Sequence, residues 1–478
     1  MAKAHVVLVP YTSQGHMTPM VQLGEALAEA GLQVTLVVTA RVLAALERAE
    51  SSLLQHPLLV LRSIDDGLNP DPNVAPSFAD VLAGIPSLQR NLESLLLEML
   101  AAPFPPTCVV SGTFCSWTQV VTSKVDLPRV ELWSSPTYVY SVGFHHGRLV
   151  SAGMVPFKGS MEDTWITCIP GLPPVRASDF VREFMPTEEE MEADPKKCEG
   201  LLKVVKESYG GARNLYRLLV NSIYELDSNA TDDLRAEGVH VLPVGPLFLQ
   251  NSSKGIIERP RINALEEDQT CLQWLDGREA SSVLYIAFGS EARLLKDDMQ
   301  ELAYGLEASG HSFLWVIRPG SVVDEQSFDC ILPEGFEERT AAHGKIVSWA
   351  PQMEVLAHSA IGGFMSHCGW NSTLEALCHG VPILAWPQRA DQGLNKVFIE
   401  DHWKVGIAVQ KHGGKVKRAA VETAIKQLMT EERGALVRKR VKEVKDTVWK
   451  SVQEDGSSRR HLDEFIHALN SLADQKSM

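Results

Sequence analysis

Short apolar runs rich in β-branched residues alternate along the chain with stretches whose apolar positions recur at helical spacing. His5–Pro10 reads HVVLVP and predicts a buried strand. Met17–Ala30 follows with a helical pattern stopped by Gly31, and Gln33–Thr39 (QVTLVVT) is the next strand. Strand, helix and strand in that order form a βαβ unit, so a parallel sheet is expected. Cys108–Ser111 and Arg129–Leu132 predict further short strands around a helix near Ser116–Lys124.

The same grammar returns in the second half. Val283–Phe288 (VLYIAF) predicts a strand that runs into Gly289 and Ser290, and a helix is expected over Lys296–Ser309. Phe313–Arg318, Lys345–Trp349, Gly363–Ser366, Pro382–Trp386 and Val405–Val409 predict the remaining strands. The C-terminal stretch is helical in pattern and rich in charge. Leu249–Asn263 is polar, aperiodic and interrupted by Gly and Pro, which is the composition of a linker. The expected division is therefore 1–248, a linker over 249–263, and 264–478. Two doubly wound α/β domains place ligand sites at the carboxyl ends of their strands, facing the cleft between them.

Composition narrows the chemistry. The 478 residues fit two or three domains at roughly 150 residues each. A core of that size needs no disulfide or metal staple. A net charge of −15 argues against a nucleic-acid backbone as partner and against attraction to anionic membranes. No apolar run reaches the roughly 18 residues of a membrane span, and Val6–Pro10 is too short for a signal-peptide core. The eight cysteines include no CxxC pair, so neither a zinc site nor a redox dithiol is expected. Free thiols in a reducing cytosol, and a cytoplasmic monomer, are the expectation.

Candidate chemistry concentrates in two places. His367-Cys368-Gly369-Trp370-Asn371-Ser372 follows a predicted strand and opens a helix. Free backbone N–H groups and the helix dipole suit a diphosphate there, and Gly369 permits close backbone approach. The same region contains Ser372-Thr373-Leu374-Glu375, an S-x-x-E pattern in which Glu375 would only cap its helix. His16 follows the first strand, where a doubly wound domain faces its cleft. A neutral imidazole at that place can take a proton from a hydroxyl near neutral pH.

The window from Trp349 to Gln392, with W-A-P-Q, H-C-G-W-N-S, G-V-P and a final D-Q, resembles the plant secondary-product signature of the family 1 UDP-sugar glycosyltransferases. The resemblance extends to Ser13-Gln14-Gly15-His16, to Ile169-Pro170-Gly171-Leu172 and to Phe288-Gly289-Ser290, and so covers essentially the whole chain. It implies a GT-B fold: two Rossmann-like domains, acceptor in the first and nucleotide sugar in the second, with the last helix packing back on the first. It implies that His367, Gly369, Asn371, Ser372 and Ser290 meet the diphosphate. Trp349 would stack on uracil, with Ala350 beside it in the donor site and Gln352 near the base or ribose. Glu375 would hold the ribose hydroxyls through its two acceptor oxygens. Trp370, Asp391 and Gln392 would read the sugar, and the final Gln points to UDP-glucose. The resemblance calls for no metal and no cofactor beyond that donor substrate. It makes His16 the general base of an inverting transfer.

One departure stands out. The family pairs its His with an Asp in V-S-D-x-F-x-x-W, whereas this chain reads Val110-Ser111-Gly112-Thr113-Phe114-Cys115-Ser116-Trp117, with no acid from Ala101 through Val125. In another enzyme's triad, loss of that orienting carboxylate costs about 10⁴ in rate. Three accounts fit Gly112: a phenolic acceptor acidic enough to need little help, attack by a phenol-activated ring carbon to give a C-glycoside, or a protein that binds UDP-sugar with little turnover. The first two are favoured. Phe114, Trp117, Tyr138 and Phe144, with Tyr140 and His145, are candidates for an apolar acceptor pocket. The expectation is glucosyl transfer from UDP-glucose to a small aromatic, flavonoid-like acceptor as an O- or C-glycoside. A UDP-sugar-binding protein is the alternative. A nicotinamide-dependent oxidoreductase shares the α/β grammar, but no strand-linked GxGxxG with a following acid occurs.

Overall fold

The computed structural model describes residues 4–48, 57–68, 78–250, 267–323, 331–412 and 414–476. The first half builds a seven-stranded sheet from β1 (His5–Val9), β2 (Gln33–Thr39), β3 (Leu59–Ile64), β4 (Cys108–Gly112), β5 (Arg129–Trp133), β6 (Arg217–Val220) and β7 (Val241–Pro243). Their order is β3-β2-β1-β4-β5-β6-β7, and every pairing is parallel. The second half builds a six-stranded sheet from β8 (Val283–Ala287), β9 (Ser312–Val316), β10 (Gly344–Val347), β11 (Ile361–Ser366), β12 (Ile383–Ala385) and β13 (Gly406–Ala408). Their order is β10-β9-β8-β11-β12-β13, again all parallel. Each sheet reverses its winding beside its first strand, at β1/β4 and at β8/β11. In doubly wound sheets that switch point opens the ligand crevice.

The apolar runs become strands because helices cover both faces of each sheet. In β1, Val6 and Leu8 join one core while Val7 and Val9 join the core on the opposite face. In β8, Leu284 and Ile286 face one core and Val283, Tyr285 and Ala287 the other. The first helix starts at Gln14, earlier than its apolar periodicity indicates, so His16 lies inside its first turn. β3, β6 and β7 have no counterpart in the sequence reading. β3 is an edge strand with exposed positions, β6 has four residues and β7 three, so none presents a long apolar run.

The final helix, Ser457–Lys476, crosses back to the first domain. Leu462, Phe465, Leu469 and Ala473 share its buried face and enter the core beside β1 and β2. His461 Nδ1 lies 2.8 Å from the carbonyl of Pro243 at the end of β7. Leu249 and Gln250, at the start of the expected linker, are buried in the first domain through the turn Leu247–Leu249. Residues 251–263 of that linker lie outside the described residues.

Candidate active site

Both switch points face one cavity of about 510 Å³ between the domains. From the first domain, Ser13–His16 and Ser134–Ser135 line it. From the second come Ser290 after β8, the Trp349–Gln352 segment after β10, His367–Ser372 after β11, and Asp391–Gln392 after β12. These are four separate strand ends, so the site exists only once the sheet has formed. His16, Ser290, Trp349, Ala350, Gln352, His367, Gly369, Trp370, Asn371, Ser372, Asp391 and Gln392 all border this cavity.

After β11 the backbone turns through Cys368 at φ 65°, with Cys368 N donating to Ser366 Oγ at 3.1 Å. Gly369 then caps the helix Trp370–His379 without a side-chain bond, which leaves the first-turn N–H groups available to an anion. The His367 ring is nested between two glycines. A Cβ at Gly289, whose φ is +75°, would sit 2.7 Å from the ring, and one at Gly369 would sit closer still. Both glycines are therefore demanded by space. Since the helix begins at Trp370, the S-x-x-E pattern is no capping box. Ser372 Oγ instead accepts from Gln352 Nε2 at 3.0 Å.

Glu375 does not line the cavity. It is 3% exposed and accepts from the same Gln352 amide at 2.7 Å. The carboxylate thus stands one hydrogen bond behind the wall and fixes the side chain in front of it. Trp370 borders the cavity, but its indole N–H donates to the carbonyl of Asn221 in the first domain at 2.7 Å. Asn371 Nδ2 likewise spans to the carbonyl of Gly15 at 3.0 Å. Gln392 Oε1 accepts from the backbone N–H of Gln388 at 2.9 Å and of Arg389 at 3.0 Å, which aims its amide nitrogen away from that loop. Burial raises the Asp391 carboxyl above its ordinary range, and Asn395 Nδ2 donates to it at 3.1 Å.

His16 is enclosed by the rings of Tyr11, Phe114 and Trp133, at centroid distances of 5.5, 5.3 and 6.3 Å. This apolar corner desolvates the imidazole and pulls its pKa from 6.5 down to about 4, so the ring is neutral across the physiological range. Its Nδ1 lies 2.8 Å from Ser134 Oγ, immediately after β5. Gly112 ends the neighbouring β4, and a Cβ there would meet the backbone nitrogen of Tyr11 at 3.2 Å.

Of the four acceptor candidates, Phe114 alone packs against His16. Trp117 turns under the helix Phe78–Leu100, into the core with Val7 and Leu92. Tyr138 is 1% exposed and stacks on Phe398 of the second domain, planes 2° apart and centroids 3.7 Å apart. Phe144 lies beneath the Arg213 guanidinium at 4.7 Å. Tyr140 is fully buried and His145 pairs with Asp233 at 2.6 Å. Aromatic character was a poor guide because most of these rings build the core under the cleft.

The sequence reading missed Ser134, Arg318, and the Glu291–Arg389 ion pair at 2.6 Å on the cavity wall. Arg318 lines the cavity and holds the loop that carries Ser290, through bonds to the carbonyls of Gly289 and Ala292. Ser134 and Arg318 each stand just beyond the carboxyl end of a parallel strand. That position was the signal available. Among the described residues, no group of three or more His, Cys, Asp or Glu is placed to hold a metal ion. Nor is any described helix long and apolar enough to cross a membrane.

Comparison with known proteins agrees with this geometry. Residues 262–438 match the family model described as UDP-glucoronosyl and UDP-glucosyl transferase. UDP-glycosyltransferase 76C1 of Arabidopsis thaliana is 34% identical, across 97% of this chain and 96% of that protein. A flavonol 3-O-glucosyltransferase of Arabidopsis thaliana is 32% identical, across 98% of each. The structure of Phytolacca americana UGT2 complexed with UDP-2fluoro-glucose and pterostilbene superposes with a TM-score of 0.80 at 27% identity, covering 98% of this chain and 100% of that one. With its two Rossmann-like domains in the GT-B arrangement, the chain belongs to the plant family 1 of UDP-glycosyltransferases, enzymes that transfer sugar to small molecules of secondary metabolism.

Proposed function

We propose that this enzyme transfers glucose from UDP-glucose to a small phenolic acceptor, inverting the anomeric centre, with His16 as general base. The observation that carries this reading is the single cavity bordered by a neutral His16 on one wall and the open helix start at Gly369–Ser372 on the other. The acceptor O–H would lose its proton to the free ring nitrogen of His16, Nε2, as the oxygen bonds to the anomeric carbon. The C1–O bond to UDP breaks in the same step, and its electron pair leaves with the diphosphate. Negative charge then develops where Ser290, His367, Asn371, Ser372 and the helix N–H groups converge, so the leaving group is stabilised without a basic patch. Trp349 and Ala350 form the base end of this site, Gln352 the ribose end, held by Glu375, and Trp370, Asp391 and Gln392 the sugar end. In this reading 1–248 holds the acceptor and 264–478 the donor. No metal takes part.

A solved relative bound to UDP-2fluoro-glucose and pterostilbene supports the substrate classes. The test is incubation with UDP-glucose and a broad phenolic panel, read by mass spectrometry for hexosyl addition. Absence of product across the panel, with UDP binding intact, would leave the protein a UDP-sugar binder. Acid treatment separates the two attachments, because O-glycosides hydrolyse and C-glycosides resist. Transfer retained in His16→Ala would remove the base assignment.

A further inference from the structure

We propose that Ser134 is the positioning residue for His16, its hydroxyl standing where the family uses a carboxylate, and that this neutral partner restricts the enzyme to acceptors whose hydroxyl is acidic. The inference rests on His16 being the base. Gly112 removes the side chain that would reach the ring from β4, and Ser134 reaches it from the adjacent strand β5, with Oγ 2.8 Å from Nδ1. Ser134 is 5% exposed and lines the cavity, so the contact is sheltered from competing water.

The Ser134 hydroxyl can accept from Nδ1–H, and the tautomer that the proposed base role needs is the one in which it does. When Oγ accepts from Nδ1–H, the lone pair lies on Nε2, the nitrogen left for the acceptor. A hydroxyl can orient the ring in this way, but it cannot offset the positive charge that forms when Nε2 takes the proton. The surroundings do not supply the difference. Tyr11, Phe114 and Trp133 present rings to His16. The titratable groups around that corner are the Tyr11 phenol, the Cys115 thiol behind it with the Arg129–Glu131 pair at 2.9 Å beyond, Glu291 from the second domain, and Asp391, which borders the same cavity beside Ser135 and is raised by burial. Glu291 is paired with Arg389, and burial pushes Cys115 up to about 12, so neither offers an unpaired anion to the imidazolium. Proton transfer to this base is therefore uphill, and least so from a group that gives its proton up readily as the new bond to the anomeric carbon forms. Phenols and enols qualify and aliphatic alcohols do not.

The experiment compares Ser134→Ala, Ser134→Thr and Ser134→Asp with the parent, over phenols of graded acidity and one primary alcohol, with pH profiles for each. Ser134→Ala is expected to lower kcat about tenfold, the worth of one neutral hydrogen bond at its upper range, with the KM for UDP-glucose unchanged. Ser134→Thr, which keeps the hydroxyl, should stay within about threefold of the parent. Ser134→Asp should move the acid limb of the pH profile upward and raise alcohol turnover relative to phenol turnover. Parental kcat in Ser134→Ala would overturn the proposal. So would an Asp variant that binds UDP yet leaves the limb and the alcohol-to-phenol ratio in place. His16→Ala separates the two levels of inference. If it abolishes transfer while Ser134→Ala does not, only the role of Ser134 fails; if it retains transfer, the base assignment fails first.

Discussion

Tyr138→Phe tests how the two domains are joined behind the donor site. The Tyr138 hydroxyl donates to Asn395 Oδ1 at 2.8 Å, and Asn395 is fully buried. The Asn395 amide donates onward to the carbonyl of Cys368 at 2.9 Å and to Asp391 at 3.1 Å. One hydroxyl of the first domain thus anchors both the turn before Gly369 and the Asp391 carboxyl on the cavity wall. Phenylalanine keeps the stack on Phe398 and removes only the hydrogen bond, leaving a buried carbonyl oxygen without its donor. That loss costs about 1–3 kcal/mol. At roughly 2–4 °C per kcal/mol for domains of this size, melting falls by several degrees. The KM for UDP-sugar should rise as Asp391 and the Cys368 turn loosen, while the acceptor KM stays constant. Calorimetry, steady-state kinetics and a double-mutant cycle with Asn395→Ala measure these effects, and a coupling energy within about 0.5–3 kcal/mol is expected. An unchanged melting temperature with a raised acceptor KM would refute the reasoning and return Tyr138 to the acceptor pocket.

Three further outcomes are expected. With His16 at about 4, its neutral fraction at pH 5.5 is about 97%, against about 9% for an unperturbed histidine, so transfer to a fixed phenol keeps its base down to about pH 5; an acid limb centred on 6.5 contradicts this. The fold binds that proton less tightly than the unfolded chain does, so His16 leaves stability untouched above 6.5 and lowers it as pH falls from 6.5 through 4. Gln352→Leu removes the donor to the buried Glu375 and to Ser372, an interaction with a charged group worth about 1.5–3 kcal/mol. Lower melting and at least tenfold weaker UDP binding by titration calorimetry should result, and unchanged binding places Gln352 off the site. Gly112→Asp crowds the Tyr11 backbone nitrogen at 3.2 Å and costs about 1–3 kcal/mol. Because Ser134 already occupies Nδ1, alcohol transfer does not rise; a gain at parental stability would overturn that account.

The sequence by itself determined what is local. Apolar runs such as Val283–Ala287 and Gln33–Thr39 predict strands because a parallel sheet buries both faces, so no alternation is needed to recognise them. The cavity wall from Trp349 to Gln392 was legible because its strand ends, turns and helix starts follow one another in a single stretch that borders the cavity. What tertiary structure decided is which side chains meet across long separations. Ser134 lies 118 residues from His16, Asn221 149 residues from Trp370, and Tyr138 257 residues from Asn395. No periodicity records such pairings. Rings at 117, 138 and 144 carry the composition of an acceptor pocket, yet twist and helix packing turn them into the core, under a helix and beneath an arginine. Likewise the apolar face of Ser457–Lys476 is written in its spacing, but only the closed fold shows that the first domain receives it. Gly112 shows the division most clearly: the chain reveals that a carboxylate is missing, and only the register of β5 beside β4 brings Ser134 to the histidine in its place.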